Sequence, residues 1–273
     1  MPEGRSGPAV RPKRGNAMFG RKVAAVSATL VTLVTLAWGG AALAEAGKPA
    51  WSYEGDNGPA RWSVLASEFA VCGAGKEQSP IDLGVADAPG KQPRVVVEYK
   101  PLPLTILHNG HTVEVVVANG SRIVLDGKPY ELLQFHFHTP SEHKVDGKAY
   151  PAEVHFVHRS ADGGLAVIGA FIDGTAANRA LADIVAYAPT TATAPRTYTW
   201  VTIDPSRIMP PPTAFWSYGG SLTTPPCSEG VRWMVQKAPL PLSREHIAAL
   251  SKAMGPNARP VQPVGARQVA APR

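Results

Sequence analysis

The strongest constraint on what this chain can fold into is a series of β-branched segments cut apart by turn residues. Segments 94–99, 112–117 and 121–125 carry the residue types that suit a pleated, half-buried surface, and Asn119-Gly120 separates the last two. Segments 132–138, 152–158 and 165–172 continue the series. Helical periodicity is confined to 61–68, 178–185 and 244–253, the last preceded by Ser243 as N-cap. The 27 prolines and 26 glycines are spread along the chain, and the one biased run is Thr/Ala/Pro at 189–195. We expect a mainly β protein: a single domain on a large, twisted, mostly antiparallel central sheet with a few short surface helices.

The formal net charge of +6 invites a nucleic-acid reading, but six of the 27 basic residues lie in the first 44 positions, against a single acid there. The rest of the chain is nearly balanced and has no polyphosphate-binding footprint, so no nucleic-acid partner is expected. Residues 1–44 have the layout of a secretory signal peptide: a basic stretch ending at Arg21-Lys22, a charge-free run at 23–38, and Ala42-Leu43-Ala44 as cleavage site. The alternative is an uncleaved anchor, since the run is near the lower limit for a span. Translation from Met18 would leave a shorter signal. The expected organisation is therefore a leader, 1–44, and one exported domain, 45–273, periplasmic or secreted and free of the membrane after cleavage.

Cys72 and Cys227 fit export. In an oxidising compartment such a pair forms a disulfide, the alternative being two buried thiols. Two lone cysteines lack the clustered spacing of a metal site.

The chemistry is concentrated in Gln134-Phe135-His136-Phe137-His138 and Glu153-Val154-His155. Side chains alternate along a strand, so His136 and His138 share one face and Phe135 and Phe137 the other. Asp146-Gly147 marks a turn between the two segments, and an antiparallel return brings His155 beside the pair. Three neutral nitrogen ligands leave a fourth tetrahedral position open, the pattern of a catalytic rather than a structural zinc site. Gln134 and Glu153 stand two residues before a histidine on that histidine's face, where they can accept its outer N–H.

Segment 134–158 resembles the zinc-binding hairpin of the alpha-class carbonic anhydrases, in its bacterial form. The resemblance extends through Trp51-Ser52-Tyr53-Glu54-Gly55, Gln78-Ser79-Pro80-Ile81, Asn109-Gly110-His111, Ser221-Leu222-Thr223-Thr224-Pro225-Pro226 with Trp233, and Asn257-Ala258-Arg259-Pro260. It implies reversible hydration of carbon dioxide to bicarbonate and a proton by a zinc-bound hydroxide, with ester hydrolysis as a side activity. By the same resemblance His136, His138 and His155 hold Zn2+. Val157, Val167, Leu222, Val231 and Trp233 form the carbon dioxide pocket, and Thr224 contacts bicarbonate or solvent. Thr223 donates to Glu142 and orients the nucleophile, His111 carries the proton away, and Tyr53 orders the solvent between. His143 and His158 fall at non-ligand positions and are expected to be structural. A homodimer is left open. All three histidines, Glu142 and Thr223 are present, which sets the chain apart from zinc-free binding modules on this fold.

Overall fold

Alternation decides the architecture. The computed structural model describes residues 50–85, 91–118, 120–209 and 213–272. The expected leader, including Met18, and Asn119 of the expected turn lie outside them. The strands are β1 (Val95–Glu98), β2 (Leu102–His108), β3 (Val113–Val116), β4 (Arg122–Leu125), β5 (Lys128–His138), β6 (Lys144–Val145), β7 (Lys148–Ala149), β8 (Ala152–Arg159), β9 (Leu165–Asp173), β10 (Thr193–Ile203), β11 (Phe215–Ser221) and β12 (Glu229–Pro241). Ten of them form one sheet in the order β10-β2-β3-β5-β8-β9-β12-β11, with β4 against β5 and β1 against β4. Its pairs are antiparallel except β9 with β12. The sheet is thus large and mixed, and the protein is mainly β.

The helices are short: α1 (Trp62–Leu65), α2 (Val71–Ala74), α3 (Arg179–Ala186), α4 (Pro205–Ile208) and α5 (Arg244–Met254). Asn178 caps α3 by accepting from the Leu181 N–H, and Ser243 caps α5 by accepting from His246. The expected helix at 61–68 divides into α1 and a 3-10 turn at Ser67–Phe69.

Each face of the sheet buries a different cluster. Phe135, Phe137, Val154, Phe156, Ile168, Ala170 and Met234 belong to the main core, which also takes Leu181 and Ile184 of α3 and Ile247 and Leu250 of α5. The alternate residues Val167, Phe171, Val231, Trp233 and Val235 form a second cluster on the other face. β2, β10, β11 and β12 have no counterpart in the sequence reading. Prolines in 101–103 and at 195 read as breakers, yet Pro103 pairs with Thr202 beside a register shift in the outermost strand β10.

Cys72 and Cys227 form a disulfide across a sequence separation of 155, packed with Trp62 and Phe69. Loop-closure entropy sets its contribution at roughly 5 kcal/mol or less. A Cys72→Ser/Cys227→Ser variant should therefore lose up to about that much stability in urea denaturation; equal midpoints for variant and wild type would rule out a stabilising role.

Candidate metal centre

The register of β5 against β8 sets His136 opposite His155 and His138 opposite Glu153. Directly opposed residues of an antiparallel pair share a face, so the three imidazoles project together while Phe135, Phe137, Val154 and Phe156 turn to the core. The connection is the small β6–β7 hairpin, whose turn residues Asp146 and Gly147 both have positive φ (51° and 76°), as a type I′ turn requires. One nitrogen from each of His136, His138 and His155 lies within 4.8 Å of the others.

Hydrogen bonding decides which nitrogens those are. His136 Nδ1 meets Gln134 Oε1 at 2.8 Å, His138 Nδ1 meets the Asn257 carbonyl at 2.8 Å, and His155 Nε2 meets Glu153 Oε1 at 2.9 Å. All three partners are acceptors, so each of these ring nitrogens carries the proton and the other keeps its lone pair. The lone pairs are His136 Nε2, His138 Nε2 and His155 Nδ1. Burial pushes all three imidazoles below their ordinary pKa, His138 to about 4. They are neutral, which is the ligating form. A second group, His143 with Glu153 and His155, also lies close together. His143, however, spends both nitrogens, on Glu153 Oε1 (2.7 Å) and the Tyr218 hydroxyl (2.7 Å).

Glu142 lies under the triad. Its Oε1 accepts from the Arg259 N–H at 2.9 Å, and its Oε2 lies 3.5 Å from His138 Nε2 and 3.8 Å from His155 Nδ1. Both Oε2 and His138 Nε2 are buried without a hydrogen bond. Orphaned buried polar atoms are rare, and a neutral nitrogen facing an empty partner position suits a cation there. The donor set therefore fits zinc. Burial raises the Glu142 carboxyl to about 7, opposed by His155, the Arg259 N–H and Thr223. Thr223 is thus felt by the carboxyl, while Oε2 has no hydrogen-bond partner within 3.5 Å among the described residues.

Glu153 is fully buried and accepts four hydrogen bonds, from the Glu142 and His143 N–H groups and from the rings of His143 and His155. Burial alone would raise its pKa; His143 and His155 instead hold it well below the carboxylate range.

The apolar side of the site is one row of the sheet. Gln134 pairs with Val157, Val157 with Val167 and Val167 with Trp233, two residues along from the histidine row. Val231 and Leu222 join the same cluster, and Trp233 stacks edge-on to His155 with centroids 4.9 Å apart. Thr224 is half-buried next to Thr223. A cleft of about 1340 Å³ formed by β11, β12 and residues 264–270 also touches Trp233, but it includes none of the three histidines.

His111 is half-buried and stacks flat on Trp51, with centroids 3.6 Å apart and planes at 9°. Burial and neighbouring His108 push its pKa down. The Tyr53 ring lies 6.4 Å from it, and burial, helped by Glu142, raises that phenol well above its ordinary value.

The eukaryotic-type carbonic anhydrase family matches residues 57–273. A carbonic anhydrase of Nostoc sp. is 43% identical over 223 residues, covering 80% of this chain and 84% of the relative. One from Pectobacterium carotovorum is 40% identical over 226 residues, 80% of this chain and 88% of the relative. Among solved structures, the alpha-carbonic anhydrase of Thermovibrio ammonificans in complex with the inhibitor sulfanilamide superposes with a TM-score of 0.78 at 44% identity. It covers 82% of this chain and 99% of that one. The chain belongs to the alpha-class carbonic anhydrases. It is by family an enzyme.

Three residues of this carbonic anhydrase site carried no assigned role in the sequence reading. Asn257, fully buried, turns its carbonyl to His138 while its side chain holds the Thr139 N–H and the Phe137 and His111 carbonyls. A backbone acceptor leaves no mark in residue type, although Asn257-Ala258-Arg259 stands within the family motif. Arg259 spans further, from Glu142 through its N–H to the Ser79 and Cys72 carbonyls through its guanidinium. Gly169 sits opposite His155 on β9, where a Cβ would stand 3.0 Å from Glu153 Oε1.

His158 lies outside the centre, between the Tyr99 hydroxyl (2.8 Å) and the Ala166 carbonyl (3.2 Å). Burial lowers its pKa to about 3. Since the unfolded chain takes the proton first, this group favours folding fully above about pH 6.5. That contribution should fall by roughly 1.4 kcal/mol per pH unit down to about pH 3. Replacing His158 by Gln should flatten the acid limb of the stability curve; an unchanged slope would contradict it. Gly169→Ala should crowd the pinned Glu153, costing about 1–3 kcal/mol and weakening metal binding about tenfold. Competition with a metallochromic chelator measures the second effect, and wild-type affinity would show that Glu153 can yield.

Proposed function

We propose that this chain catalyses the reversible hydration of carbon dioxide to bicarbonate and a proton, with zinc held by His136, His138 and His155. What carries the reading is that three proton-fixed imidazoles turn their lone pairs to one point beside a dry wall. Zinc, when bound, supplies a Lewis acid that lowers the pKa of water from ~16 to about 7, a magnitude known from carbonic anhydrase itself rather than obtained from this geometry.

The residues of the chain do the rest. Carbon dioxide is apolar and uncharged, and Val157, Val167, Leu222, Val231 and Trp233 offer it a surface that binds no water tightly. Thr223, turning its hydroxyl proton toward Glu142, has only a lone pair left for the attacking group and so selects its orientation. Its backbone N–H meets negative charge developing on the substrate, while Thr224 faces the product or solvent. Gln134, the Asn257 carbonyl and Glu153 keep the three rings from swivelling.

One proton must leave in each turnover. His111, an imidazole at the half-exposed side of the site, accepts it through water that the neutral Tyr53 hydroxyl helps to order. Activated esters, attacked by the same nucleophile, are a side substrate. We further propose that residues 1–44 are a leader removed on export, leaving 45–273 as the mature domain in the periplasm or outside the cell. The Cys72–Cys227 disulfide supports an oxidising compartment, and among the described residues no helix is long and apolar enough to cross a membrane.

Stopped-flow carbon dioxide hydration should collapse on chelation and return with zinc. His138→Ala should abolish both metal retention and activity, and activity that survives chelation would defeat the proposal. Thr223→Ala should keep the metal and slow hydration by about 100-fold.

A further inference from the structure

The histidine row of the sheet continues one strand beyond His136. β3 pairs antiparallel with β5, and the residue directly opposite His136 is Glu114. Its neighbours Val113 and Val115 are fully buried in the main core, so Glu114 projects to the other face, the one that carries the three imidazoles. Adjacent strands are about 4.8 Å apart, which puts a carboxylate one strand spacing from a ligand of the proposed metal.

Glu114 is half-buried, and its one hydrogen bond comes from Asn109 Nδ2 at 3.3 Å. Asn109 uses its Oδ1 to hold the N–H groups of His111 and Thr112, so the amide fixes the carboxylate to the same turn that carries His111. Leu107 of β2 flanks it on the far side. Among the described residues no lysine or arginine acts on it; burial and the Asn109 bond are the influences it feels. A half-buried carboxylate without a cation is unfavourable for folding, and nothing in the packing requires one.

We infer that Glu114 is a specificity-determining residue of the cavity, a fixed negative charge that weakens the binding of anions, bicarbonate among them, while leaving neutral carbon dioxide indifferent. The inference rests on the zinc hydration reading above. Discrimination of this kind comes from repulsion of the unwanted state rather than attraction of the wanted one. Carbon dioxide carries no charge for the carboxylate to act on, whereas bicarbonate and inorganic anions do. The equilibrium between gas and bicarbonate is untouched, so the effect reads in dissociation constants. Loss of one unit charge at such a range, in a medium of intermediate dielectric, amounts to on the order of tenfold in affinity.

The test uses the full-length protein loaded with cobalt(II), whose visible spectrum reports both uptake of the metal and binding of an anion. Thiocyanate and bicarbonate are titrated at pH 8.5, far above the ordinary carboxylate range, because burial raises this carboxyl and the Asn109 bond lowers it. Glu114→Gln should bind both about tenfold more tightly than wild type. Glu131→Gln, which removes an exposed carboxylate elsewhere on β5, should match wild type. Glu114→Ser removes the same charge with a smaller group and serves if the amide variant does not fold. Unchanged or weaker anion binding in a cobalt-loaded Glu114 variant overturns the inference alone. A wild-type protein that takes up no cobalt overturns the zinc reading and the inference with it.

Discussion

The site depends on the register of one strand pair. β5 and β8 are aligned so that Phe135 faces Phe156 across the core side, with rings stacked 4.8 Å apart, and His136 faces His155 on the other. A slip of one residue would carry His136, His138 and His155 into the core and the phenylalanines out of it. Burial of those phenylalanines, each favoured by roughly 1.5–3 kcal/mol, therefore specifies which histidines share the other face. The hydrophobic effect chooses the face, and pairing chooses which imidazoles meet.

Register brings the rings together but does not orient them. That falls to a buried polar layer built around Glu153, whose charge is removed from water. Four donors satisfy it, two from backbone N–H groups and two from imidazoles. Such an arrangement is weak evidence for stability, because desolvating a carboxylate offsets much of what its partners contribute. It is better understood as specification: a carboxylate that has four donors and no room to shift permits one tautomer of His155 and one placement of the Glu142 backbone. Gly169 belongs to this layer because a Cβ there would stand 3.0 Å from Glu153 Oε1 and press on it.

Much of this was legible in the sequence. Period-two alternation around His136, His138 and His155 marked the shared face, and Gln134 and Glu153 could be placed beside their histidines from spacing alone. The strands missed were those whose local signal contradicts their tertiary setting. β2 contains Pro103, which pairs with β10 but lies before the stretch of β2 that pairs with β3, and β10, an edge strand with no partner outside it, begins in a Thr/Ala/Pro run with Pro195 at an irregular point of the ladder. β11 and β12 owe their pairing to distant partners, including the parallel contact with β9, which no local window contains. Asn257 and Arg259 escaped for a different reason. They act on the site through a backbone carbonyl and a backbone N–H, groups that every residue of their kind possesses.

The distribution of helices explains why the sheet has a usable face at all. α3 and α5 both bury their apolar sides in the main core, against one surface of the sheet. Among the described residues no residue of α1 to α5 enters the second cluster, so those helices leave that surface to the histidine row. Along this face the chemistry changes across and along the strands. Trp233, Val167 and Val157 present hydrocarbon, His136 and His155 present imidazole, and Glu114 with Asn109 presents fixed polarity. A neutral molecule and an anion would meet these surfaces with opposite preferences. Twisted β structure can arrange such a gradient with no loop rearrangement, because side chains on neighbouring strands are already held about 4.8 Å apart.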